Sequence, residues 1–115
     1  MAVQKQQTSV SVSEVKEFTR GFSEGLALGM SLDAILGSVI GRTSNKQLSR
    51  VLTAVRTDVL AGYPLSMAMA KYDAVFDRNY VEMVRAGELT GSLDAKLTRF
   101  LSPPDLSAKA MQSIL

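Results

Sequence analysis

Residues 46–65, KQLSRVLTAVRTDVLAGYPL, carry the clearest helical pattern in the chain. Apolar side chains recur here at spacings of three and four residues, which places them on one face of an α-helix. The apolar stripe is Leu48, Val51, Leu52, Val55 and Val59, and the polar face is Lys46, Arg50, Thr53 and Thr57. Ser44 and Gln47 have capping-box spacing, so the helix is predicted to open at Ser44. Gly62 can end it, and Pro64 suits the first turn of the next helix.

Two further amphipathic helices are predicted before this stretch. The first begins at Ser11, because Ser11 and Glu14 also have the spacing of a capping box, and it ends at Gly29. Ser31 caps the second helix, which is expected to end at Gly41. Their apolar stripes are Val15, Phe18, Phe22 and Leu26 in the first helix and Leu32, Ile35, Leu36, Val39 and Ile40 in the second.

Three shorter helices are predicted after this stretch. Residues 65–72 form the fourth helix, and Asp77 caps the fifth, which ends at Gly87 or Gly91. Ser92 caps the sixth helix. The turns between helices are only a few residues long, and short links make neighbouring helices pack antiparallel.

The predicted fold class is therefore all-α, a compact antiparallel six-helix bundle built from helical hairpins. We assign residues 11–102 to this domain and residues 1–10 to a mobile polar tail. Pro103 and Pro104 stop the sixth helix, and residues 103–115 are predicted to start a further helix.

Composition narrows the function. The 115 residues contain no cysteine and no histidine, so disulfides, thiolate chemistry, the commonest general base and the commonest metal ligand are all missing. The formal net charge is only +2, which does not favour nucleic acid as a partner. No phosphate-binding glycine loop is present. We predict no catalytic residue, no metal site and no cofactor, and hence a protein that is not an enzyme.

Two glycine-containing segments admit alternative interpretations. Gly21, Gly25 and Gly29 recur every four residues, and such small residues either let a neighbouring helix approach closely or weaken their own helix. The most unusual local string is Gly87-Glu88-Leu89-Thr90-Gly91. There Glu88 is either a partner contact or metal ligand, or an incidental carboxylate in a helix–helix turn.

Charged residues also mark one side of the predicted fifth helix. Arg78, Glu82 and Arg85 lie along this side because their spacing is four and three residues. Such a row is either a solvated face with weak ion pairs or a docking surface for a partner protein.

Several segments resemble the type II secretion F / PilC family of platform proteins. The family pattern is, in outline, G-x-x-L-x-x-A, then V-F, a Tyr-Val pair and A-G-E-x-x-G-x-L. The matching segments are LAGYPLSMAM (60–69), Val75-Phe76-Asp77, Tyr80-Val81 and VRAGELTGSL (84–93), with Phe18-Thr19-Arg20 and Leu28-Gly29-Met30-Ser31-Leu32 upstream. The likeness covers roughly residues 15–101 and points more weakly to the type IVb pilus branch.

This resemblance implies a cytoplasmic six-helix domain of a bacterial inner-membrane protein, attached to the membrane only through segments absent from this chain. The implied role is a scaffold that couples an assembly ATPase to pilin or pseudopilin assembly, with other inner-membrane proteins and a second copy of itself as further partners. Glu88 matches the glutamate of the A-G-E motif, and Gly87 and Gly91 shape its turn. The residues expected at a docking or dimer edge are Arg78, Glu82, Arg85 and Glu88.

Two other functions remain open at this point. The chain could be a stand-alone helical adaptor that shares only the bundle pattern, or a helical DNA-binding domain. An apolar membrane span encoded soon after Leu115 would favour the platform protein. Salt-sensitive retardation of duplex DNA would favour the DNA-binding domain.

Overall fold

The computed structural model describes residues 9–102 of the chain. This part contains six α-helices and no strand, which confirms the predicted all-α class. The helices are α1 (Val12–Ala27), α2 (Leu32–Arg42), α3 (Lys46–Leu60), α4 (Leu65–Ala70), α5 (Arg78–Thr90) and α6 (Leu93–Leu101). The antiparallel orientation of neighbouring helices stays a prediction. The predicted helix in residues 103–115 and most of the predicted tail lie outside the described residues, apart from Ser9 and Val10.

Each helix packs against the next one along the chain, and α6 packs back against α1. The predicted apolar stripe of α3 faces inward, with Leu48, Val51, Leu52 and Val55 buried. Burial of such side chains supplies most of the stabilisation, about 1.5–3 kcal/mol for each large apolar residue. None of the helices in residues 9–102 combines the length and the apolar character needed to cross a membrane.

An aromatic row joins α1, α5 and α6 through the core. Neighbouring ring centroids are 5.2–5.8 Å apart along the series Phe22, Phe18, Phe76, Tyr80 and Phe100. Tilted and edge-on arrangements at these distances are favourable because the ring edges carry partial positive charge and the faces partial negative charge. The row fixes how the helix with the A-G-E motif, α5, sits on α1.

A buried hydrogen bond between Thr19 and Tyr80 also joins α1 to α5. Thr19 Oγ1 donates to the carbonyl of Val15 at 2.7 Å, so its single proton is used. The hydroxyl of Tyr80, 2.6 Å from Thr19 Oγ1, must therefore be the donor to it. Burial raises the pKa of Tyr80, which keeps this donor protonated.

The structure corrects four of the predicted caps and helix ends. The first is the end of α4, which was predicted at Tyr72 and lies at Ala70. The capping box of Ser11 and Glu14 is confirmed. The N-cap of α3 is Asn45, not Ser44, and its side chain accepts a hydrogen bond from the Leu48 amide at 3.0 Å. Helix α2 continues past Gly41 through Arg42. Ser92 stands at the N-cap of α6, but its side chain makes no capping hydrogen bond.

Asn45 is the N-cap of α3 because its side chain also makes a contact between α3 and α1. Its side-chain amide donates to both carboxylate oxygens of Glu14, at 3.0 and 3.1 Å. Asn45 can therefore cap α3 and hold the start of α1 at once, whereas a serine hydroxyl has only one proton. The Ser11 amide also donates to Glu14 at 2.9 Å. These donors, with the Ser11 amide first, lower the pKa of the Glu14 carboxyl.

The surroundings of Gly25 decide between the two interpretations of the glycine repeat in α1, close helix packing or a weakened helix. A Cβ atom placed on Gly25 would lie 2.6 Å from Cγ1 of Ile35 on α2, closer than real contacts allow. The glycine thus permits close packing of α1 on α2. Gly29 lies beyond α1 with φ of +77°, a left-handed conformation that suits glycine at a helix end.

Candidate functional site

The segment with the A-G-E motif, residues 86–93, forms the end of α5, a turn and the start of α6; we call it the motif turn. Gly91 has φ of +68°, and its amide hydrogen-bonds to the Gly87 carbonyl. The Ser92 amide reaches the same carbonyl at 3.0 Å. Because only glycine adopts this conformation without strain, Gly91 and not Gly87 ends α5.

Gly87 serves a different purpose within the motif turn. A Cβ atom on Gly87 would lie 2.7 Å from Cα of Leu93, a backbone atom that cannot move aside without shifting α6. Gly87 is itself buried. The absent side chain therefore lets the start of α6 lie directly against α5.

Glu88 points from α5 to the beginning of α4. One carboxylate oxygen accepts a hydrogen bond from the Ser66 amide at 3.1 Å, and the other accepts from the Ser66 hydroxyl at 2.5 Å. The N-cap position of α4 is Pro64, which offers no side-chain acceptor. A free amide in the first turn of a helix needs an acceptor, and Glu88 supplies it from another helix.

The structure separates the four residues of the predicted docking edge into an exposed group of three and the half-buried Glu88. Arg78, Glu82 and Arg85 are exposed on the outer face of α5, away from the core. The closest approach of Glu82 to Arg85 is 4.0 Å, and both side chains are more than half exposed. Such a pair contributes little to stability, so both charges stay available to a partner. Glu88, by contrast, is half-buried with its carboxylate on α4.

Two residues that matter here were not predicted from the sequence. Ser66, the partner of Glu88, is distant in sequence, and only the packing of α4 on α5 brings the two together. Leu89 is 78% exposed and follows Arg85 by four residues. Its spacing from Arg78, Glu82 and Arg85 could have placed it on the same face.

An open groove beside α1 is a second feature that sequence did not predict. Its volume is about 340 Å³, and its lining includes Phe18, Glu24 and Arg42. An adjoining cavity of about 320 Å³ shares Gly21, Glu24 and Arg42 with it. A Cβ atom on Gly21 would lie 3.0 Å from the Arg42 guanidinium, so the glycine leaves room for that group. The lining comes from two separate stretches of the chain, residues 14–24 and residues 39–48, which explains why no local pattern marks it.

Comparison with known proteins gives consistent matches. Residues 18–101 match the family described as "Type II secretion system (T2SS), protein F". A 48-residue segment is 50% identical to the type IV pilus assembly protein PilC of Thermus thermophilus, and covers 42% of this chain and 12% of PilC. A 46-residue segment is 48% identical to the type II secretion system protein F of Vibrio cholerae, and covers 40% of this chain and 11% of that protein. The aligned segments thus span only about a tenth of each relative.

Proposed function

The chain belongs to the type II secretion system protein F family, and we propose that it is the cytoplasmic domain of an inner-membrane platform protein. The observation that carries the proposal is the extent of the family match, which begins within α1 and ends at the last residue of α6. The names of the two relatives refer to type IV pilus assembly and type II secretion. The machine served by this domain is accordingly a pilus or secretion machine of this kind.

The proposed role is mechanical coupling through protein surfaces, without catalysis. The assembly ATPase of the machine would bind this domain, and other inner-membrane assembly proteins would surround it. The full-length platform would pass the motion to pilin or pseudopilin subunits. A rigid domain suits this role, and the buried aromatic row together with the tie between Glu88 and Ser66 supports such rigidity.

We place a protein-contact surface on the outer face of α5, where Arg78, Glu82 and Arg85 are exposed. Charged rows of this kind steer partners and select among them more than they add raw affinity. Glu88 belongs to the same proposal through its position beside this face. Its hydrogen bonds to Ser66 hold α4 against α5 and thereby fix the position of the helix that carries the surface.

A competition experiment in the source bacterium tests the proposed function. Excess domain, produced without membrane segments, should occupy the assembly ATPase and reduce surface pili or secreted protein. The Val55→Asp variant is the matched negative control, because Val55 is fully buried and a charge there should unfold the domain. Thr53→Asp carries the same new charge on an exposed position of the same helix and should still compete. No reduction by the wild-type domain at levels above the native protein would contradict the proposal.

A further inference from the structure

The groove beside α1 and its adjoining cavity form one elongated depression along α1. Their lining comes from α1, α2, the links that follow these helices and the start of α3, so the depression is separate from the outer face of α5. The groove, of about 340 Å³, extends toward Glu14 and Asn45, and we call it the polar hollow. The cavity, of about 320 Å³, extends toward Leu28 and Met30, and we call it the apolar hollow.

Arg42 stands where the two hollows meet and lines both. Its guanidinium reaches from the last turn of α2 to the backbone of α1, where a Cβ atom on Gly21 would lie 3.0 Å from it. Arg42 is exposed, and within residues 9–102 it forms no salt bridge. An arginine in a concave site without a carboxylate partner can bind the carboxylate of a ligand through two parallel hydrogen bonds.

The apolar hollow adds a place for a large apolar side chain. Leu28 is 78% exposed and lines this hollow together with Met30. Gly25 belongs to the same lining and lies about 6 Å further along α1 than Gly21, the residue beside the Arg42 guanidinium. An extended peptide advances about 6.6 Å in two residues, and side chains two residues apart point the same way. A carboxylate and an apolar side chain with this spacing can therefore enter the two hollows together.

Glu24 restricts what the second side chain can be. It also lines both hollows, is exposed, and forms no salt bridge in the described part of the chain. Its charge repels a second carboxylate, so an apolar residue is favoured over an acid in the apolar hollow. A 10 Å length of helix with a diameter of 10–12 Å needs roughly 800 Å³. Neither hollow encloses that volume, so an extended segment fits better than a helix.

We propose that the occupant of the two hollows is a short extended segment of another protein, in which an acidic residue and a large apolar residue are two positions apart. The carboxylate of the segment binds the Arg42 guanidinium, and its apolar side chain fills the apolar hollow. The inference goes beyond the proposed function and does not depend on it, because the contact surface proposed there lies on α5.

Selection of peptides from a phage library of random linear eight-residue sequences, with the purified chain as bait, tests the inference. Enriched peptides should share an acidic residue and a large apolar residue two positions apart. In fluorescence polarisation with synthetic copies of these peptides, Arg42→Glu should weaken binding about tenfold or more. Replacing the acidic residue of the peptide by lysine should restore its binding to the Arg42→Glu variant, because opposite charges then face each other again.

Two control variants match these changes. Arg50→Glu makes the same charge reversal at an exposed position of α3 outside the lining, and should change the affinity by less than about twofold. Ser38→Phe places a large side chain in the apolar hollow and should weaken binding without changing any charge. Ser13→Phe, at an exposed position of α1 outside both hollows, should bind like wild type. Melting curves establish that each variant remains folded.

Four results would overturn the inference. The first two are a selection without enrichment and enriched peptides whose affinity survives Arg42→Glu. Apolar residues enriched at spacings of three and four would indicate a helical occupant, and enrichment of sequences found in this chain itself would indicate a second copy. None of these results touches the proposed function, which the competition experiment in cells tests separately.

Discussion

The carboxylate of Glu88 on α5 caps the first turn of α4 by accepting hydrogen bonds from the amide and the hydroxyl of Ser66. Ser66 is only 7% exposed, so these donors have little access to water. The glutamate of the A-G-E motif is therefore part of the scaffold as well as a neighbour of the exposed outer face of α5. Its glycine partners act on the same scaffold, because Gly87 admits Leu93 and Gly91 makes the turn.

Glu88→Ala should lower the free energy of unfolding by about 1–2 kcal/mol, because the buried Ser66 donors lose their acceptor. Ser66→Ala removes one of those donors. In a double-mutant cycle by urea denaturation the two changes should be clearly non-additive. Glu82→Ala, on the exposed face of the same helix, is the control and should change stability by less than about 0.5 kcal/mol. Additive effects of Glu88→Ala and Ser66→Ala would show that the hydrogen bond between the Ser66 hydroxyl and the Glu88 carboxylate contributes nothing to stability.

Gly87→Ala should destabilise the domain by about 1–3 kcal/mol, since its new methyl group would meet the backbone of Leu93. Gly41→Ala is the matched control. Gly41 lies near the end of α2, and a Cβ atom there meets nothing within 4 Å. Alanine at this position should stabilise by up to about 0.5 kcal/mol because it is the better helix former. Thermal unfolding of both variants checks the contrast, and equal shifts in Tm would refute the close approach of α5 and α6.

Val55→Asp should abolish cooperative unfolding. Val55 is fully buried on the inner face of α3, and an unpaired carboxylate there loses its hydration without gaining a partner. Circular dichroism during heating reports the loss directly. Thr53→Asp, two residues away on the exposed face, should keep a melting curve close to wild type. A normal transition for Val55→Asp would mean that the apolar stripe of α3 does not face the core.

The domain should lose stability on acidification, in part through Glu14. The hydrogen bonds from Ser11 and Asn45 lower the pKa of this carboxyl below its ordinary value of 4.5. The ionised form is then favoured in the folded state, so the contribution is present above about pH 4.5 and disappears as the pH falls through the folded-state pKa. Urea midpoints of wild type and Glu14→Gln should differ at pH 7 and converge toward pH 3. Parallel pH profiles for the two proteins would contradict this account of Glu14.

Local sequence patterns were sufficient to predict the helices but not the contacts between them. The stripe of Leu48, Val51, Leu52 and Val55 could be predicted because burial follows the 3.6-residue period. Ser44 was the wrong cap because serine and asparagine are both good N-caps. The deciding factor was the hydrogen bonding of Asn45 to Glu14, which local sequence does not reveal.

The candidate site shows the same limit. Its exposed arginines and Glu82 follow from spacing on one helix. The local sequence left open whether Glu88 is a contact residue or an incidental carboxylate in a helix–helix turn, and the family resemblance placed it among the expected docking residues. Its contact with Ser66 now makes a loss of stability the expected result, since the two residues meet only through the packing of α4 on α5. The docking role of the edge remains a prediction.

The proposed role of the domain, to work by binding other proteins of an assembly machine, is tested most directly by calorimetric titration of the purified domain into the purified assembly ATPase of the same bacterium. We predict saturable binding with a Kd on the order of 1–100 μM, as expected for a small, partly charged surface. The Thr53→Asp variant should titrate in the same way, since it leaves the fold and the outer face of α5 intact. Absence of binding by the folded wild-type domain at several hundred micromolar, a concentration well above that range, would contradict it.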